Sequence, residues 1–114
     1  MVIGGGWGGL AAARHLRALA PDLEVVLVDR QPAFVSFALS NRWLVDNVVP
    51  APERHDYAAL AGRWGYKFRR AEVSAIDRTA GIVVAGGERL AYDWLVIAPG
   101  IREDYAAWQV DDPA

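Results

Sequence analysis

No cysteine occurs among the 114 residues. Disulfides, thiolate metal ligands and cysteine nucleophiles are therefore excluded within them. No stretch of eighteen apolar residues is present, which removes a membrane-spanning helix from consideration. Charge of one sign is not concentrated either. Basic and acidic residues interleave to a net −2, without the basic face or stripe that nucleic acid requires. The two histidines, His15 and His55, have no neighbours at metal-ligand spacing and read as solvated side chains. No internal repeat or low-complexity tract occurs, and no signal-peptide pattern stands before the first apolar run. That run is only half a strand long, so the last absence decides nothing about targeting.

What the chain has instead is glycine and apolar bulk. Hydrophobic residues make up 54%, with 11 glycines in addition, above the usual apolar share of about 45–50%. This fits a well-buried α/β sheet, or an apolar face that further chain should cover. A chain of this length suits one domain, burying roughly two-thirds of its unfolded surface.

The glycines concentrate in Gly4-Gly5-Gly6-Trp7-Gly8-Gly9. Met1-Val2-Ile3 leads in as a short strand, and a helical pattern runs out from Leu10 to Ala20. Ala12, Leu16 and Leu19 recur on it at helical spacing, and Pro21 stops it. Val25-Val26-Leu27-Val28 is a continuous apolar run, as expected of a strand covered on both faces. Strand, helix and strand form a βαβ unit, and such crossovers are nearly always right-handed. From Arg30 to Glu53 the pattern dissolves, yet Phe34, Phe37, Leu39, Trp43 and Leu44 are too apolar for a free linker; a long ordered loop of this kind is usually functional.

A second helix is expected from Asp56, an N-cap, through Tyr57, Leu60, Ala61 and Trp64 to Gly65. Tyr66 to Arg70 reads as a short strand. Val73–Asp77, Gly81–Ala85 and Glu88–Tyr92 then predict a three-stranded antiparallel meander, with Gly86-Gly87 as a two-residue hairpin. Trp94-Leu95-Val96-Ile97 reads as a buried strand ending at Ala98-Pro99-Gly100.

Gly4, Gly6 and Gly9 match GxGxxG. The first glycine permits the tight turn, the second lets a pyrophosphate approach the backbone, and the third lets helix and strand pack closely. The phosphate then rests on unpaired N–H groups at the helix start. Asp29 ends the next strand, where an acid accepts hydrogen bonds from ribose hydroxyls. Arg30 follows; it is either a solvated loop residue or, in an NADP enzyme, a partner for a 2′-phosphate that Asp29 would repel. Trp7 occupies a variable position of the fingerprint, where covering the cofactor and simple packing explain it equally well.

The fingerprint, the meander and Tyr92-Asp93-Trp94-Leu95-Val96-Ile97-Ala98-Pro99-Gly100 together resemble the two-dinucleotide-binding-domain flavoproteins, the FAD-dependent pyridine nucleotide-disulfide oxidoreductase superfamily. The glycine loop, Leu39-Ser40-Asn41 and Ala98-Pro99-Gly100-Ile101 look most like the flavin subunit of flavocytochrome c sulfide dehydrogenase and its sulfide:quinone oxidoreductase relatives. The resemblance implies an α/β, Rossmann-like FAD-binding domain, with residues 1–114 a single partial domain of a larger enzyme. It implies FAD contacts at Gly4, Gly5, Gly6, Trp7, Gly8, Gly9, Asp29 and Arg30. Ser40, Asn41, Ala98, Pro99 and Gly100 would lie nearby, and the Val73 backbone would face adenine. Implied partners are a c-type cytochrome or quinone as electron acceptor and the missing C-terminal domains of the same enzyme. The implied location is periplasmic or membrane-associated in a bacterium.

One departure is informative. That branch carries a redox cysteine just before its Leu-Ser-Asn segment, and Phe37 looks like its counterpart here. An NADH:quinone-type dehydrogenase of the same superfamily begins with a similar loop and needs no cysteine pair. A third reading is a nucleotide-binding remnant without catalysis of its own. No nucleophile–base constellation can be built, as suits a protein that leaves redox chemistry to its cofactor.

Overall fold

A computed structural model of the chain describes residues 1–36, 45 and 53–101. In chain order the elements are β1 (Val2–Ile3), α1 (Trp7–Leu19), β2 (Val26–Asp29), β3 (Ala33–Val35), β4 (Arg54–Asp56), α2 (Tyr57–Trp64), β5 (Lys67–Arg70), β6 (Val73–Asp77), β7 (Ile82–Ala85), β8 (Glu88–Ala91) and β9 (Val96–Ile97).

The apolar run ending β2 has no side chain suited to water, so both faces of that strand must be covered. The central sheet does this. Its order is β5-β2-β1-β9, and each neighbouring pair is parallel, with Val2 opposite both Leu27 and Val96. Alternation along the strands divides the core in two. Val2 and Leu27 point to the helical side, where they pack with Leu10, Ala13, Phe34, Tyr57 and Ala61. Ile3 and Val28 point the other way, onto Val83 and Ala85 of the meander. Helices, sheet and meander thus make three layers. The meander has the expected order β6-β7-β8, and Gly86 and Gly87 take the positive φ values, 58° and 82°, that its hairpin requires.

Local signals position α2 well. The Asp56 side chain accepts a hydrogen bond from the Ala59 N–H at 2.8 Å, and Gly65 closes the helix in the left-handed conformation. Asp56→Ala removes this cap and is expected to cost about 1 kcal/mol. Thermal denaturation should show Tm falling by about 4–8 °C, and an unchanged Tm would refute the role given to the cap.

Four details differ from the sequence expectations. Helix α1 begins at Trp7 rather than Leu10, because the glycines that end the loop already supply its first turn. Its inner face is Gly9, Leu10 and Ala13, so Leu19 falls outside and is 83% exposed. The pattern-free stretch from Arg30 to Glu53 contains strand β3 near its start, which pairs antiparallel with β4 just past its end, Phe34 lying opposite His55. Finally, β9 spans two residues, and Trp94 and Ile97 are 79% and 57% exposed. It lies at the sheet's edge with β1 as its partner among the described residues, so the cover expected for a central strand is absent from one side.

Candidate functional site: a glycine loop at the carboxyl ends of parallel strands

The loop joining β1 to α1 is held so tightly that most of its glycines are compulsory. Gly4 has φ 91°, and a Cβ there would lie 2.1 Å from the Ala98 carbonyl oxygen. A Cβ on Gly9 would lie 1.7 Å from the Gly4 carbonyl oxygen, so this glycine sets how closely α1 approaches β1. Gly8 sits 3.8 Å from the Ala98 side chain, an ordinary contact. Gly6 is different. It is exposed, has an unexceptional φ of −66°, and a Cβ there would meet nothing within 4 Å. The space above Gly6 is open, and a group entering it would meet bare backbone.

Gly6 caps α1 without a side-chain hydrogen bond, and the first turn contains no acid. The N–H groups of that turn therefore have no intrahelical acceptor, and the first turn itself supplies no negative charge to the positive end of the helix dipole. An anion is the natural complement.

Two side chains grip Gly5. Its N–H donates to Asp29 Oδ2 at 2.6 Å, and its carbonyl accepts from the Tyr57 hydroxyl at 2.7 Å. Asp29 Oδ1 also accepts from the Gln31 N–H at 2.7 Å. A carboxylate has about four acceptor positions, so Asp29 retains capacity for further donors. Burial lifts the Tyr57 hydroxyl far above the ordinary tyrosine range, and the Asp29 carboxylate and Tyr66 add to the effect. It stays a neutral donor. Tyr57 was legible only as a helix-core residue, since its partner lies 52 residues away.

A cleft of about 320 Å³ opens beside the loop at the carboxyl ends of β1, β2 and β9. Ligands of open α/β sheets bind at such a crevice. Gly4, Asp29, Arg30, Val73, Pro99 and Gly100 all line it, joined by Ala71 and Glu72, which carry no signal in the sequence, and by Ile101, which follows the Ala98-Pro99-Gly100 turn. Gly5, Gly8, Gly9 and Ala98 build the loop behind it. Arg30 is exposed, and its carbonyl accepts from Arg70 Nε at 3.2 Å. Trp7 turns away from this cleft. The residue is 62% exposed, and its ring packs edge-on against Phe34 at 4.9 Å, bordering an apolar cavity between α1 and α2. Phe37, Ser40 and Asn41 lie outside the described residues. Among the described residues no cluster of His, Asp or Glu could hold a metal ion, and no helix is long and apolar enough to cross a membrane.

A parallel sheet, a glycine loop against an uncapped helix start and a cleft at the strand ends define a dinucleotide-binding α/β protein. Residues 1–109 match the pyridine nucleotide-disulphide oxidoreductase family, and the chain belongs to it. FAD is the cofactor of this family. The chain is 36% identical to the sulfide-quinone reductase of Aquifex aeolicus, over 94% of this chain and 25% of that protein. It is 46% identical to the sulfide dehydrogenase (flavocytochrome c) flavoprotein chain of Chlorobaculum thiosulfatiphilum, over 36% of this chain and 85% of that sequence. The solved sulfide:quinone oxidoreductase of Aquifex aeolicus superposes with a TM-score of 0.78 at 33% identity, covering 89% of this chain and 24% of that one. The chain thus spans about a quarter of the length of the Aquifex relative.

Proposed function

We propose that residues 1–114 form the FAD-binding portion of a flavin-dependent oxidoreductase similar to sulfide dehydrogenase, moving electrons from a small reductant to a quinone or cytochrome. The observation that carries this reading is the open space at Gly6 beside the cleft between Asp29 and Pro99-Gly100. The cleft volume falls within the range of about 300–1,000 Å³ typical of small-molecule sites and suits the adenosine diphosphate half of FAD. In this reading the N–H groups at the start of α1 hold the diphosphate, and the free acceptor positions of Asp29 take the ribose hydroxyls. The backbone around Val73 borders the adenine. Arg30, Ser40 and Asn41 complete the contacts the sequence suggests.

When bound, FAD supplies two-electron redox chemistry. The chain's own residues bind and orient it and contribute no nucleophile. The lack of any cysteine closes the persulfide route within these residues, and Phe37 stands where the sequence resemblance puts that thiol. This favours, as second reading, a dehydrogenase that takes hydride from a reduced nicotinamide and needs no cysteine pair.

The test is flavin loading of the 114-residue chain, followed by reduction. Protein that takes up FAD should be yellow, and protein that cannot be loaded would overturn the cofactor-site reading. Bleaching by sulfide but not by NADH supports the first reading of the donor, and the converse supports the second. Bound flavin that neither reductant bleaches would identify a binding module without the donor side.

A further inference from the structure

We propose that Tyr57 is a positioning residue for the phosphate loop, fixing the Gly5–Gly6 peptide so that the Gly6 N–H faces the diphosphate. The inference rests on the FAD-site reading above and adds to it a residue that the glycine fingerprint does not contain.

The Gly5 carbonyl and the Gly6 N–H belong to one planar unit, and in a trans peptide they point in opposite directions. No cis bond occurs among the described residues. The Tyr57 hydroxyl holds the carbonyl end at 2.7 Å. The N–H end is thereby turned away from Tyr57, and at Gly6, the residue that carries it, an added Cβ would meet nothing within 4 Å, so the space about that residue is open.

The Tyr57 ring adds a steric constraint. It fills the position a Gly5 Cβ would take, 2.4 Å away, so the loop rests on the ring as well as on the hydroxyl. Tyr57 is itself fixed. It is 3% exposed, its ring lies 5.1 Å from that of Phe68, and it opens α2 next to the Asp56 cap. Asp29 holds the other side of Gly5 through its N–H.

A glycine-rich loop needs such ties. Glycine loses more conformational freedom on ordering than any other residue, and a ligand that must order its own loop loses affinity accordingly. With both peptide groups of Gly5 held by side chains from different elements, the order is present before the ligand arrives. A hydrogen bond accepted by the carbonyl also polarises the peptide and strengthens its N–H as a donor. Because the hydroxyl is held protonated well above the ordinary tyrosine range, this tie persists at every ordinary pH.

The rival view is that Tyr57 merely fills the core, and Tyr57→Phe separates the two by keeping the ring and removing the hydroxyl. ADP and adenosine binding to the 114-residue chain are measured by calorimetry for wild type and variant. ADP affinity should fall about tenfold, the effect of one weakened phosphate-facing hydrogen bond, while adenosine affinity stays within about twofold. If both ligands weaken equally, or neither does, the positioning role is overturned and the FAD site stands. If the wild type binds neither ADP nor FAD, the site reading fails and the positioning role with it. Should Tyr57→Phe not fold, the wild-type Gly6 amide resonance decides. It must move on adding ADP and not on adding adenosine, and an unmoved resonance in the ADP complex overturns the inference.

Discussion

Gly9→Ala is expected to prevent the chain from folding, whereas Gly6→Val should leave the fold intact and abolish FAD binding. The contrast follows from where a side chain would go. At Gly9 the new methyl carbon would lie 1.7 Å from the Gly4 carbonyl oxygen, about half a normal contact distance. The oxygen belongs to the backbone of β1's exit turn and the methyl is fixed rigidly to the backbone of α1, so relief requires the helix to move off the sheet. That would open the cluster of Val2, Leu10, Ala13 and Leu27. Overpacking of rigid backbone belongs among the exceptional substitutions, costing about 4–5 kcal/mol or more, against a total stability of about 5–15 kcal/mol for a domain.

At Gly6 the backbone conformation is one any residue adopts, and the space is empty. The expected cost is that of a poorer N-cap, about 1 kcal/mol or less. The valine side chain would instead occupy the position proposed for the diphosphate. Circular dichroism melting together with flavin retention checks both halves. Gly6→Val protein that stays yellow would remove the phosphate from this loop, and a well-folded Gly9→Ala would show that α1 has more freedom than the contact allows.

These two glycines also show what a sequence discloses about such a site. GxGxxG is legible because the requirement is local: strand, turn and helix lie within one βαβ unit, and each glycine's task follows from that geometry. The caps of α2 at Asp56 and Gly65 were legible for the same reason, as was the hairpin at Gly86-Gly87. The grip of Tyr57 on Gly5 was not, because nothing near position 57 reports on a loop 52 residues earlier. Leu19 misled because helical spacing fixes which residues share a face but not which face turns inward. Here the close approach at Gly9 and Ala13 decides that, and Leu19 is left in water. Strands β3 and β4 escaped notice because three residues each are too short to show an alternation. Trp94 to Ile97 looked like an interior strand, since composition records apolarity and not whether a neighbour is present to cover it.

The second large effect is a loss of stability in alkali, traced to Tyr57 and Tyr66. Both are almost fully buried, and Tyr66 places its hydroxyl 3.4 Å from the Tyr57 carbonyl oxygen. Burial pushes the Tyr66 hydroxyl up to about 12, with Asp56 adding to the shift, and Tyr57 is raised as well. In the unfolded chain each would ionise near pH 10. Below about pH 10 both states keep these protons, and the stability is complete. Above it the unfolded state releases protons that the folded state retains, so stability falls by about 1.4 kcal/mol per pH unit for each tyrosine. By pH 12 Tyr66 alone accounts for a loss of about 2–3 kcal/mol, and Tyr57 for at least as much. Together they approach the lower end of the stability of a whole domain, so cooperative alkaline unfolding is expected near that pH. Urea titrations at successive pH values measure the fall directly as a decreasing midpoint. In Tyr66→Phe one of the two protons no longer differs between the states, and the slope attributable to the pair should halve. A midpoint that stays level between pH 10 and 12 in the wild type would mean that both hydroxyls ionise as freely in the fold as outside it. The Tyr57 hydroxyl could then not be the buried, permanently neutral donor that holds the Gly5 carbonyl.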